Sequence, residues 1–138
     1  MPAFWSRPRE EPVKFIYVTG NPAHASEVKK VAGGAFELEA VGPSIDAALG
    51  AAAKTGARVI VTDAELPGCT WRDVLAASRD HNPALSVVVI LDSFEGAQWV
   101  EIIRTSAYDV VLRPLRSEPL QKILLGANQS ASARKPLN

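Results

Sequence analysis

Short apolar runs alternate with longer segments of helical periodicity along most of the chain. In a parallel sheet covered by helices, buried strands are continuous apolar runs, whereas the helices repeat apolar residues every three to four positions. The third and fourth runs are apolar almost throughout, and the second alternates apolar and acidic residues as an edge strand does. The pattern predicts five strands, at Phe15–Val18, Phe36–Val41, Val59–Thr62, Val87–Leu91 and Val110–Leu112.

Each predicted strand is followed by a predicted helix, which gives five strand–helix units. Residues that favour helix starts precede these helices at Asn21-Pro22, Ser44, Thr70, Ser93 and Ser117. Right-handed crossovers between parallel strands place the helices on both faces of one doubly wound sheet. We therefore predict one α/β domain over residues 14–126, an N-terminal tail over 1–13 and a C-terminal tail or linker over 127–138.

The composition limits the kinds of partner and compartment. Basic and acidic residues both number 15, so no overall field attracts nucleic acid or an anionic membrane, and we expect neither as a partner. Cys69 is the only cysteine, which excludes an intrachain disulfide and fits a reduced, cytoplasmic setting. No apolar run reaches the length of roughly 18 residues that a membrane span needs, so we expect a soluble protein.

The third strand ends on Asp63, and a Leu66-Pro67-Gly68 turn follows it. In an open parallel sheet, ligands bind in the crevice at the carboxyl ends of the strands, and this carboxylate lies at such an end. Together with Arg113-Pro114 after the fifth strand, these residues resemble the response-regulator receiver domain over about Lys14 to Gly126. The resemblance implies a CheY-like, flavodoxin-like fold: a five-stranded parallel sheet of order 2-1-3-4-5 between two layers of helices.

The same resemblance assigns Asp63 as the position that accepts a phosphoryl group from a histidine kinase in two-component phosphorelay signalling of the bacterial type. In that family an acidic pair after the first strand holds Mg²⁺, a Thr or Ser ends the fourth strand, and a Lys precedes a Pro after the fifth. Glu65 stands two residues after Asp63, where the family's metal takes a backbone carbonyl.

Three of these positions depart from the family pattern. Thr19-Gly20 replaces the acidic pair and removes the carboxylates that Mg²⁺ prefers. Asp92 replaces the hydroxyl residue, with Ser93 one position later, and a second carboxylate about 4 Å from a phosphoryl group would cost about 4 kcal/mol at an effective dielectric of 20. Arg113 replaces the Lys. We predict no cofactor and disfavour Mg²⁺; any metal would fall to Asp63 and Glu65.

A hypothesis follows for the crevice, namely that Arg113 bridges Asp63 and Asp92 in place of the metal. The chain is then an atypical receiver, a pseudo-receiver, that acts through contact with a histidine kinase or a downstream signalling protein and is not an enzyme. The family's partner surface is the fourth helix, fifth strand and fifth helix, which also supports homodimers. Trp99 is the candidate contact residue there, with core packing as its alternative. Val110 takes the place of the family's switch aromatic and is assigned to the same partner surface.

Two other functions stay open from the sequence. The first is a conventional receiver that is phosphorylated on Asp63. The second belongs to a different class, a small α/β nucleotide-binding protein or enzyme, because Gly20 lies between a strand and a helix. The sequence contains neither G-x-G-x-x-G nor a Walker lysine at that loop, and His24 and His81 are interpreted as surface residues.

Overall fold

Five parallel strands form the central sheet in a computed structural model that describes residues 12–134. Counting only the strands of this sheet, the spatial order is β2-β1-β3-β4-β5, so the predicted fold class and strand order are confirmed. A short antiparallel hairpin, in which Glu65–Leu66 pairs with Cys69–Thr70, follows the third strand. The strands are β1 (Val13–Val18), β2 (Phe36–Gly42), β3 (Val59–Asp63), β4 (Ser86–Leu91) and β5 (Asp109–Leu112).

Five helices connect the strands: α1 (Pro22–Ala32), α2 (Ile45–Thr55), α3 (Trp71–His81), α4 (Gly96–Arg104) and α5 (Ser117–Ala133). The predicted caps Asn21, Ser44 and Thr70 are confirmed by their hydrogen bonds to first-turn amides. The prediction is wrong for Ser93, because the Glu95 side chain accepts from the Gln98 amide and starts α4 later. Ser117 is the first residue of α5 rather than its cap. Among the described residues, no helix is both long and apolar enough to cross a membrane.

Apolar side chains fill both spaces between the sheet and its helices. Every residue of β3 and β4 is buried, as continuous apolar runs predict, whereas β2 is only partly buried at the edge. One core cluster lies on the α2 and α3 side and the other on the α1 and α5 side. The second cluster contains Tyr17, whose hydroxyl reaches the carboxyl end of the sheet.

The C-terminal helix is longer than predicted. The tail expected over residues 127–138 is wrong for 127–133, because α5 continues to Ala133. Ala127 and Ala131 are buried on the same face as Leu120 and Leu124, so small side chains extend the packed stripe. The predicted N-terminal tail lies almost wholly in residues 1–11, which are outside the described part of the chain, as are residues 135–138.

Candidate functional site

The carboxyl ends of four strands bring the predicted site residues together. Asp63 is the last residue of β3 and pairs in register with Ile90 of β4. Thr19 directly follows β1, Asp92 directly follows β4, and Arg113 directly follows β5. Since parallel strands end at the same edge of a sheet, residues that are far apart in sequence become neighbours here.

Asp63 is enclosed by hydrogen-bond donors on both carboxylate oxygens, and the residue is only 7% exposed. Its Oδ1 accepts from the Tyr17 hydroxyl and from Arg113 Nη2 at 3.2 Å. Its Oδ2 accepts from Thr19 Oγ1 at 2.5 Å and lies 3.0 Å from His24 Nδ1, a contact in which the imidazole donates when Nδ1 carries its hydrogen. The protein therefore already supplies four polar contacts to the carboxylate that receivers use as acceptor.

Arg113 connects three carboxylates through one guanidinium. Its Nε donates to Asp92 Oδ1 at 3.0 Å, its Nη2 to Asp63 and its Nη1 to Glu27 of α1. The predicted bridge between Asp63 and Asp92 is confirmed, and Glu27 is an additional partner. Burial by itself lowers the pKa of Arg113, but the electrostatic interactions with Tyr17, Glu27 and Asp63 outweigh it and raise that pKa. The guanidinium thus remains a fixed cation between α1 and the sheet.

Tyr17 links Arg113 to Asp63. Its hydroxyl donates to Asp63 and accepts from Arg113 Nη2 at 3.0 Å. Burial, followed by the hydrogen bond to Asp63 and the charge of that carboxylate, raises the pKa of the phenol well above its usual value. Tyr17 therefore keeps its proton at neutral pH and acts as a permanent donor to Asp63.

A cleft of ≈ 220 Å³ opens beside Asp63. Glu65, Asp92 and Ser93 line it together with Asp63, so these predicted crevice residues do lie around one space. The Asp92 side chain is 78% exposed and turns its carboxylate to Arg113. Its repulsion toward a group on Asp63 is therefore weaker than the sequence predicts, because solvent and the guanidinium both screen it.

The donor set does not fit Mg²⁺. Thr19 is buried and its hydroxyl already donates to Asp63 while accepting from the Asn21 amide at 3.1 Å. A Cβ at Gly20 would lie 2.6 Å from Cγ and Cδ of Pro67, so no carboxylate side chain can occupy that position without moving the turn. Within residues 12–134, no group of three or more His, Cys, Asp or Glu residues is arranged to hold a metal ion. The hard oxygen ligands that Mg²⁺ requires are not gathered around Asp63.

The contact between Gly20 and Pro67 gives a stability prediction. We expect Gly20→Ala to lower the free energy of unfolding by about 1–3 kcal/mol, because the added methyl overlaps a rigid ring. Gly50→Ala is the matched control, since Gly50 lies inside α2 and, apart from its chain neighbours and its own helix backbone, no atom of the described chain lies within 4 Å of the new methyl. That change should stabilise the protein by about 0.5–1 kcal/mol. Urea unfolding measures both, and a Gly20→Ala protein as stable as the native one would contradict the close contact.

Three residues of the site were missed by the sequence analysis: Tyr17, His24 and Glu27. His24, which the sequence predicts as a surface residue, is only partly exposed, because its ring contacts Asp63. His24 and Glu27 lie three positions apart in α1 and so share a helix face, which is the one signal the sequence offers. The spacing does not indicate that this face of α1 is directed toward Asp63.

The partner-surface residues differ from their predicted roles. Val110 is only 3% exposed and belongs to a core cluster, so its prediction as a surface residue is wrong; its strand is covered on that face. Trp99 is partly buried, packs against the same cluster and lies 5.9 Å from the Phe94 ring, centroid to centroid. The exposed apolar side chains of this region are instead Phe94, Val100 and Ile103.

Comparisons with known proteins agree with this geometry at the level of the fold. No protein-family model matches the sequence, and no curated protein matches it. Among solved structures, the chain is similar to the receiver domain of the putative response regulator NarL from Mycobacterium tuberculosis (21% identity, 91% of this chain and all of that one, TM-score 0.73). It is also similar to a LuxR-family DNA-binding response regulator from Staphylococcus aureus (20%, 84% and 98%, TM-score 0.69). A third match is the signal receiver domain of a putative Luxo repressor protein from Vibrio parahaemolyticus (17%, 88% and 94%, TM-score 0.75). The fold is therefore that of response-regulator receiver domains.

Proposed function

We propose that this chain is an atypical receiver domain of two-component signalling, cytoplasmic and without enzymatic activity, which acts by binding another protein. The observation that carries the proposal is the enclosure of Asp63 by Arg113, Tyr17, Thr19 and His24. In this arrangement the acceptor position is held in one state by an internal cation instead of being switched by a phosphoryl group.

The contacts of Asp63 oppose modification of its carboxylate. A group attached to either oxygen must displace donors from Tyr17 and Arg113 on one side or Thr19 and His24 on the other. Tyr17 and Thr19 are buried and Arg113 is charged, and every one of these hydrogen bonds is to a carboxylate. Breaking charge-assisted hydrogen bonds costs more than breaking neutral ones. The added negative charge would also share Arg113 with Glu27 and Asp92. Phosphorylation is therefore weak or absent in this proposal.

The exposed apolar side chains support a protein partner on the face formed by α4, β5 and α5. Val100 and Ile103 of α4 are 49% and 42% exposed, and Leu125 of α5 is 45% exposed. Exposed apolar side chains mark a protein interface where they form one contiguous patch, and this proposal places these three on one face. A kinase, a downstream signalling protein or a second copy of this chain are the partners in this proposal.

Amide NMR with a phosphoryl mimic tests the proposal without knowledge of a kinase. We expect the native chain in millimolar Mg²⁺ and beryllofluoride to give the same spectrum as the chain alone around Asp63, α4 and α5. The reason is that the acceptor oxygens are already engaged and the ligands for the metal are not assembled. Asp63→Asn is the control, because it keeps the shape of the side chain and removes the acceptor.

Two results would replace the proposal by an alternative. Shifts that start at Asp63, spread to α4 and α5 and vanish in Asp63→Asn would identify a conventional phosphoacceptor. Saturable shifts confined to the β1–α1 loop on addition of ATP would favour the nucleotide-binding class. The packing of Gly20 against Pro67 argues against that class, because the loop approaches a side chain where a phosphate would have to lie.

A further inference from the structure

A second cleft lies at the opposite end of the sheet from Asp63, beside the start of β4. Its volume is ≈ 350 Å³, which suits a small ligand. Its wall comes from the last turns of α3, the turn that precedes β5 and the end of α5. Hydroxyl and guanidinium groups from separate elements converge there: Ser78, Arg79, Ser86, Ser106, Tyr108 and Arg134.

The charge of this cleft is positive. Arg79 and Arg134 both line it, and no Asp or Glu within residues 12–134 does. Arg134 Nη2 donates to Ser86 Oγ at 3.0 Å and to the carbonyls of Ala84 and Leu85 at 3.3 Å, its Nη1 donates to Ser130 Oγ, and Arg79 donates to the carbonyl of Thr105. These acceptors are neutral, and within residues 12–134 neither guanidinium forms an ion pair with a carboxylate. Each guanidinium has five N–H donors, so donors remain for an anion.

A buried hydroxyl provides an independent sign of a ligand. Ser78 is 1% exposed, lies in the wall of the cleft, and its Oγ has no hydrogen-bond partner among the described residues. Buried hydroxyl groups are almost always hydrogen-bonded, because an unmade bond in the interior is costly. Trp71 Nε1 also lacks a partner but does not line this cleft. Among the described residues, Ser78 is thus the one residue with such a group that lines this cleft.

We propose that this cleft binds the phosphate group of a small phosphate monoester, with the phosphate between Arg79 and Arg134 and near Ser78. Guanidinium forks match the geometry of phosphate oxygens, and three acceptor oxygens suit the several donors gathered here better than the two of a carboxylate. The rest of the ligand lies against Leu85, Val87 and the ring of Tyr108, which supply the apolar part of the wall. This site is separate from Asp63, so the proposed phosphate binding does not depend on the proposed function.

Amide NMR of the full chain tests the site, with inorganic phosphate and phenyl phosphate as probes at constant ionic strength maintained by sodium chloride. We expect saturable shifts at Ser78, Arg79 and residues 106–108, with phenyl phosphate binding more tightly than inorganic phosphate. Arg79→Gln and Arg134→Gln should each weaken binding by about tenfold or more, because each removes charge-assisted hydrogen bonds. Arg116→Gln, an exposed arginine at the start of α5 and at the other end of the sheet, should leave binding unchanged.

Ser78→Ala separates a binding role from a structural one. Removal of the unpaired buried hydroxyl should raise the melting temperature of the unliganded protein and at the same time weaken phenyl phosphate binding. If the glutamine variants lose their native circular dichroism, Arg79→Lys and Arg134→Lys keep the charge, and we expect weaker binding from the loss of the fork. Shifts that are not saturable, that are equal in all arginine variants, or that map to the Asp63 cleft would overturn the proposal. Equal affinities for the two probes would overturn the assignment of a monoester.

Discussion

Arg113→Met should lower the free energy of unfolding by about 3–5 kcal/mol, the largest effect expected of any single change in the Asp63 site. The methionine retains the length of the side chain but removes the charge that Asp63, Glu27 and Asp92 share. The Asp63 and Arg113 side chains are only 11% and 13% exposed, so water entering through the cleft replaces the lost partner only in part. A carboxylate left buried without its cation is the physical cause of the loss.

A double-mutant cycle measures whether the loss comes from this pair. Asp63→Asn alone should cost about 1 kcal/mol, because Arg113 retains Glu27 and Asp92 and the amide still accepts hydrogen bonds. The double variant Asp63→Asn/Arg113→Met should be more stable than Arg113→Met alone, since no isolated charge remains at position 63. Equilibrium urea unfolding of the four proteins gives the coupling.

Arg72→Met is the matched control for the cycle. Arg72 also pairs with a glutamate, Glu101, but both side chains are about half exposed, and its guanidinium lies 4.8 Å from the Trp71 ring. Exposed pairs of this kind contribute little, so the cost should be far smaller than that of Arg113→Met. Equal losses from Arg72→Met and Arg113→Met, or additive losses in the cycle, would show that Arg113 does not stabilise a buried charge.

The sheet could be predicted from the sequence because its strands differ in burial, and the order of apolar and polar residues within each strand reflects that difference. β3 and β4 are continuous apolar runs, and β2 alternates, so each strand could be identified without knowledge of its neighbours. The position of Asp63 at a strand end and the arginine after β5 were likewise local features, and they were sufficient to predict the ion pair.

The rest of the site depends on contacts between segments that are distant in the sequence. Tyr17 and His24 reach Asp63 across 46 and 39 positions, and Glu27 reaches Arg113 across 86. Periodicity gives the face of a helix or strand on which a side chain lies, but it does not give the rotation of α1 relative to β3. Asp92 was placed correctly at its strand end, yet its turn toward solvent and Arg113 follows from the loop conformation.

The sequence does not predict that α5 continues to Ala133, because the buried residues at its end are small. Between Ala127 and Ala133 the side chains are alanine, serine, asparagine and glutamine, a composition that is typical of a linker. The spacing from Leu120 and Leu124 to Ala127 and Ala131 nevertheless continues one buried helix face. Hydrophobic periodicity weakens when a packed helix face is made of alanine, and the boundary was therefore placed a full two turns early.

Ala127→Asp tests this extension of the domain directly. Ala127 is fully buried in the cluster with Leu120 and Leu124, and its carbonyl accepts from Ser86 Oγ at 2.9 Å. A carboxylate there must either lie in the core without a partner or displace the end of α5 from the sheet, so we expect a loss of about 3 kcal/mol or more in the free energy of unfolding.

Gln129→Asp, on the exposed side of the same helix, introduces the same charge near the same helix end and should cost at most about 1 kcal/mol. Urea unfolding compares the two variants at neutral pH. If both cost equally little, the residues after Gly126 contribute nothing to the folded domain; a large loss from Ala127→Asp alone means that the domain includes the last two turns of α5.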